Sequence, residues 1–247
     1  MLSRLLTVLL FVASLRSGLG QDVPSTPLQQ VQASANAAVT AQSLELTGTA
    51  VWTAGALTEH GTASLKASRD GSSTLQLNLN TATRTETLTT FDSKRTCQWI
   101  DSLGKTYNFA DLSCMTATPW FAPSLLAAIN AQFPTLMTVT DDGQVTKNGT
   151  LVHQLSYVFN LVGRDAATTK RLTEASRFKM YFDLVTLLPA AFEYNIHPDA
   201  DDAKSIPVSV VYSDYRSVSG ASLPFHIERS VNRTLQLTLV LNTVLIN

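Results

Sequence analysis

From Leu44 onward the chain alternates apolar and polar residues with a period of two, the signature of strands that bury one face. Leu75, Leu77 and Leu79 point one way and Gln76, Asn78 and Asn80 the other, just after an Asp70-Gly71 turn. Short strands are predicted over residues 85–91, 96–101 and 105–109, and Asp141-Asp142-Gly143 reads as a further hairpin turn. The second half repeats the pattern in Leu151, Leu155, Tyr157, Phe159 and Leu161, then in Phe178, Met180, Phe182 and Leu184. Phe192, Tyr194 and Ile196 follow, then Ile206, Val208, Val210 and Tyr212, and last Leu235, Leu237, Leu239 and Leu241.

Two stretches have a helical period instead. Thr26 can cap and Pro27 can open a helix over residues 26–44, with Leu28, Val31, Ala35, Ala38 and Val39 on one face. Residues 123–133 form a second, shorter helix whose stripe is Leu125, Leu126, Ile129 and Phe133, started by Pro123 and ended by Pro134. The predicted class is α+β and mainly antiparallel β. A sheet of about ten strands must curl, close or split, and two modest helices are little material to cover its apolar face. An apolar cavity is the expected remainder, with the alternative that Phe, Leu and Tyr side chains fill the space.

Residues 1–20 read as a signal peptide: Arg4 gives the basic start, Leu5 to Leu15 the apolar stretch, and Gly18-Leu19-Gly20 a small-residue cleavage site. That stretch is shorter than the ~20 residues a transmembrane helix needs, and no later run exceeds it, so no transmembrane segment is expected. Residues 21–247 are expected to form a single domain. With Arg4 and Arg16 removed from the 18 cationic side chains, against 19 anionic ones, the exported chain carries a charge of about −3. Such a balance argues against nucleic acid as a partner. The only two cysteines, Cys97 and Cys114, are expected to form a disulfide, as suits an exported protein. A metal or redox pair is the alternative, but it needs closer spacing or further ligands.

The C-terminal third carries a more specific pattern: Tyr212-Ser213-Asp214-Tyr215, a turn at Gly220, then Leu223-Pro224. It is preceded by Asp183-Leu184-Val185-Thr186-Leu187-Leu188-Pro189 and Phe192. Together these resemble the lipoprotein carrier and receptor superfamily of bacterial envelopes, the LolA and LolB-like proteins. The resemblance implies a curved, unclosed β-barrel, a half-barrel with an N-terminal helix and a central lid helix over its concave face. In carriers that face receives acyl chains. The resemblance also implies that Leu223-Pro224 opens a strand, for which Pro224 is suited.

Other motifs lead to no reaction. Ser102-Leu103-Gly104-Lys105 matches the Ser-x-x-Lys of penicillin-recognising enzymes, but it reads as a hairpin turn and no Lys-Thr-Gly follows. Hydrolase elbow, zinc-protease and phosphate-loop motifs are absent from the sequence. His60, His153, His197 and His226 lie far apart and read as strand or turn residues, not metal ligands. The carboxylates of His197 to Lys204 read as a solvated turn, and Asn148-Gly149-Thr150 and Asn232-Arg233-Thr234 as turns.

The sequence therefore predicts an exported, periplasmic or secreted monomer without cofactor, metal or catalytic machinery. Its expected role is to shelter a lipid or the acyl chains of a lipoprotein. The expected ligand contacts are Trp120, Phe121, Leu125, Leu126, Ile129 and Phe133 on the lid, and Phe178, Phe182, Tyr194 and Leu237 on the strands. Two alternatives stand beside it: a structural or regulatory envelope protein with a filled core that binds a protein partner, and a secreted enzyme.

Overall fold

The computed structural model describes residues 42–91, 94–109, 113–114, 118–123, 137–160, 165–198 and 204–247. Among the described residues, thirteen antiparallel strands make one sheet in the order β6-β5-β4-β3-β2-β1-β13-β12-β11-β10-β9-β8-β7. The strands are β1 (Ser43–Ala54), β2 (Leu57–Ser68), β3 (Ser73–Leu79), β4 (Thr83–Phe91), β5 (Lys94–Ile100), β6 (Thr106–Asn108) and β7 (Met137–Lys147). Then follow β8 (Thr150–Phe159), helix α1 (Ala166–Ala175), β9 (Phe178–Asp183), β10 (Pro189–Ile196), β11 (Ile206–Val218), β12 (Ala221–Val231) and β13 (Thr234–Ile246).

Each strand pairs with its neighbour in sequence except at one place. β1 pairs with β13 in the middle of the sheet, whereas β6 and β7, consecutive in the chain, occupy opposite edges. The sheet is thus an unclosed barrel cut between β6 and β7. Their connection, residues 109–136, has to pass from one edge to the other. Where the β1–β13 register shifts between Thr47 and Gly48, the backbones lie close: a Cβ at Gly48 would sit 2.2 Å from the Val240 carbonyl oxygen, so only glycine fits there.

The predicted alternation sets the core. Leu44, Leu46, Leu65, Leu75, Leu77, Phe192, Val210, Ile227, Leu237, Leu239 and Leu241 are buried together on the concave face. Along β8 to β10 that face is filled by aromatic rings. Tyr157 stacks on Phe178 at 4.7 Å, and Phe178 and Phe192, then Phe192 and Tyr194, follow at 5.2 Å between centroids. On the other face of the same strands Tyr181 donates to Glu193 at 2.6 Å, Lys147 pairs with Glu193, and Asp142 accepts from Gln154 and Ser156.

Several sequence expectations change. The leader and the predicted N-terminal helix up to residue 41 lie outside the described residues, but Ser43 and Leu44 open β1 and do not end a helix. Leu125, Leu126, Ile129 and Phe133 of the predicted lid helix also lie outside them. Asp141-Asp142-Gly143 is not a turn. It is a β-bulge inside β7, where Gly143 takes a φ of 75° and Asp142 is left without a cross-strand partner. The actual β7–β8 turn is at Asn148-Gly149, both with positive φ. β9 ends at Asp183, leaving Leu184 in a turn, and Leu151 is half exposed at 49%. Helix α1 was not predicted: Asp165 caps it by accepting from the Thr168 N–H at 2.8 Å, but none of its residues is buried. Leu223-Pro224 lies within β12 and does not open it. Pro224 pairs only toward β11, since β12 meets β13 from His226 onward, so no ladder donor is missed on that side.

Candidate functional site

The other side of the concave face is hollow. A cavity of about 470 Å³ lies between β3–β5 and β10–β12. Leu75, Leu88, Trp99, Ile196, Ile206, Val208 and Val231 give it apolar walls. Its polar lining includes Ser73, Thr87, Asn108, Asn195 and His197. The size falls in the range of small-molecule sites, roughly 300–1,000 Å³.

Part of the β6–β7 connection roofs this space. Cys114 is joined to Cys97 on β5, and both are buried with Leu88 and packed against Phe109. On the opposite wall Ser113 Oγ donates to the His197 carbonyl at 3.0 Å and accepts from the His197 N–H at 3.2 Å. Trp120 and Phe121 then enter the core, and the Tyr212 hydroxyl donates to the Trp120 carbonyl at 2.5 Å. Residues 113–114 and 118–123, here called the strap, are thereby fixed to both walls.

A charged pair crosses the concavity beside it. Arg229 on β12 donates from Nη1 and Nη2 to Glu86 on β4 at 3.2 and 3.3 Å, and from Nη2 to Gln236 at 3.1 Å. The two strands are five positions apart in the sheet, so this contact exists only because the sheet curls. The guanidinium carbon lies 4.8 Å from the Trp120 ring centroid. Burial opposes the Arg229 charge, but the neighbouring Glu86 outweighs it and holds the group above its ordinary range. Gln236 reaches the pair because the register shifts between Arg229 and Ser230, leaving Gln236 unpaired and turned inward. Burial raises the Tyr194 hydroxyl to about 12, so it remains a neutral hydrogen-bonding group near this pair.

The Tyr-x-Asp-Tyr pattern acts through position. Tyr212 holds the strap, and Tyr215 donates to the Pro189 carbonyl at 2.5 Å. Asp214 adopts a φ of 52° and pairs with Arg216, an exposed contact that shapes the hairpin.

Of the residues expected to meet a ligand, Trp120, Phe121 and Tyr194 line the cavity. Phe178, Phe182 and Leu237 do not; they are packed within the core. Arg229, Glu86, Gln236 and Trp99 were not foreseen as lining residues. Arg229 had a readable signal, since it occupies the inward phase of Phe225, Ile227 and Val231. Two histidines do meet carboxylates, His153 Nε2 with Asp141 at 2.8 Å and His226 Nε2 with Glu228 at 3.1 Å. No group of three or more His, Cys, Asp or Glu side chains suited to a metal occurs among the described residues. No described helix is long and apolar enough to cross a membrane.

No protein-family model matches the chain, and no curated protein matches its sequence. Solved structures match it in shape. A DUF1329 family protein from Desulfovibrio piger superposes with a TM-score of 0.54 at 9% identity, covering 90% of this chain and 94% of that one. A domain from Vibrio parahaemolyticus described as an outer membrane lipoprotein-sorting protein gives 0.53 at 8% identity, covering 89% and 92%. A LolA superfamily protein from Nitrosomonas europaea gives 0.50 at 9% identity, covering 90% and 94%. The chain shares its fold with these proteins, the LolA superfamily member among them, and this is the kind of fold that the C-terminal pattern implied.

Proposed function

We propose that this is an exported, non-catalytic binding protein that shelters the apolar part of a lipid, or of a lipoprotein's acyl chains, beneath the strap. The observation that carries the reading is the roofed cavity, largely apolar and walled by Trp99, Trp120 and Phe121. Burial of a hydrocarbon chain there is favourable by about 0.8 kcal/mol for each methylene removed from water. The likeness to a lipoprotein-sorting domain agrees with such a role, and residues 1–20 supply the route of export to a periplasmic or extracellular compartment. The protein acts as a monomer in this reading, and Trp120, Phe121 and Tyr194 are its main ligand contacts.

The test is lipid extraction and native mass spectrometry of the exported protein, together with titration by the neutral apolar dye Nile red. A co-purifying lipid, or a saturable rise in dye emission that added lipid reverses, is expected. Protein that carries no lipid and leaves the dye dark would refute the proposal.

A further inference from the structure

The cavity has a limited capacity and a balanced charge, and each restricts what it can hold. Resting on the lipid-binding reading above, we infer that the occupant is a single-chain amphiphile with an uncharged, hydroxyl-bearing head, of the monoacylglycerol type.

Capacity argues for one chain. A methylene group occupies about the volume of a water molecule, ~30 Å³. The cavity of about 470 Å³ therefore holds a chain of roughly fifteen such groups. The cavity does not extend along the neighbouring part of the concave face, which is already occupied by the rings of Tyr157, Phe178 and Phe192, so a second chain is not enclosed there.

Charge argues for a neutral head. Among the described residues, Arg229 and Glu86 are the formal charges lining the cavity, and they neutralise each other. A free carboxylate beside them would meet the like charge of Glu86, which repels it. It could gain Arg229 only by displacing Glu86. Hydroxyl groups face no such conflict: they donate to Glu86 and exchange hydrogen bonds with Gln236, Asn108 and Thr87.

The experiment compares 1-monopalmitoylglycerol, palmitate and dipalmitoylglycerol, read by the fluorescence of the cavity tryptophans Trp99 and Trp120 and by native mass spectrometry. Monopalmitoylglycerol should bind one to one, at least tenfold tighter than palmitate at pH 8 and at least tenfold tighter than the two-chain lipid. Glu86→Gln leaves the Arg229 charge unbalanced and should shift the ratio of the two single-chain affinities at least tenfold toward palmitate. Methyl palmitate against palmitate on the unaltered protein tests the same point without a variant, and the ester should bind more tightly. Equal or tighter binding of palmitate, equal binding of dipalmitoylglycerol, or an unchanged ratio in a folded Glu86→Gln protein would each overturn the inference. If these outcomes occur while Nile red still binds, the lipid-binding reading survives alone. If neither dye nor any of the lipids binds, both fail.

Discussion

The two sides of the concave face obey one alternation of apolar and polar residues and end in opposite states. Along β8 to β10 the inward positions are Tyr157, Phe159, Phe178, Phe192 and Tyr194, and their rings close the space between them. Along β3 and β4 the inward positions include Leu75 and Leu88, too small to fill the gap, and Glu86, which meets the opposite wall through its ion pair with Arg229. There the walls are held by an ion pair and a strap, and a void remains. Inward phase alone therefore does not define a core. The size of the side chain at each inward position, and what spans the gap, decide between packing and cavity.

The contrast can be broken most forcefully on the filled side. Phe192 is fully buried between Phe178 and Tyr194, and Phe192→Ala should cost about 3–5 kcal/mol through the hole it leaves. Urea unfolding would read this directly, and a loss under ~1 kcal/mol would mean that side is not close-packed. A second effect concerns the roof. Replacing Cys97 and Cys114 by serine removes a bridge across a sequence separation of 17. It should cost on the order of 3 kcal/mol. It should also speed Nile red exchange, since the strap then keeps its contacts only on the opposite wall. Stopped-flow fluorescence would test that, and an unchanged rate would show that the disulfide does not control entry. The smallest stability effect belongs to the hollow side. Ile206→Phe projects extra volume into empty space, so the unfolding free energy should move by less than ~1 kcal/mol, while dye uptake falls at least tenfold. A larger penalty would show that the space is already occupied by protein.

How legible each feature was follows from its physical origin. The strands could be read because burial of one face writes a period of two into Leu75, Leu77 and Leu79 or Val208, Val210 and Tyr212. Helix α1 could not, because it buries no residue and so writes no apolar stripe into the sequence; its start is marked only by the Asp165 cap. The bulge at Asp141-Asp142-Gly143 looked like a turn because the same glycine with positive φ serves both. The disulfide was legible from two cysteines in a chain whose first residues read as a signal peptide. The ion pair of the cavity was not, since Glu86 and Arg229 are 143 residues apart and meet only through curvature. Phe178 and Phe192 differ from Tyr194 in no way that the linear pattern records, yet the first two seal a core and the third faces the cavity.

The pairing of β1 with β13 has an evolutionary and engineering meaning as well. Gln42 donates to the carbonyl of Asn247 at 2.6 Å, so these two points of the chain are already neighbours. A short linker between them, with a new opening made in the β6–β7 connection, would permute the order of the strands without changing any neighbour. Such a permuted chain, begun without residues 1–41, would keep every described rung of the ladder and break the covalent link between β6 and β7. The sheet's architecture is thus separable from the β6–β7 connection by a single change of connectivity.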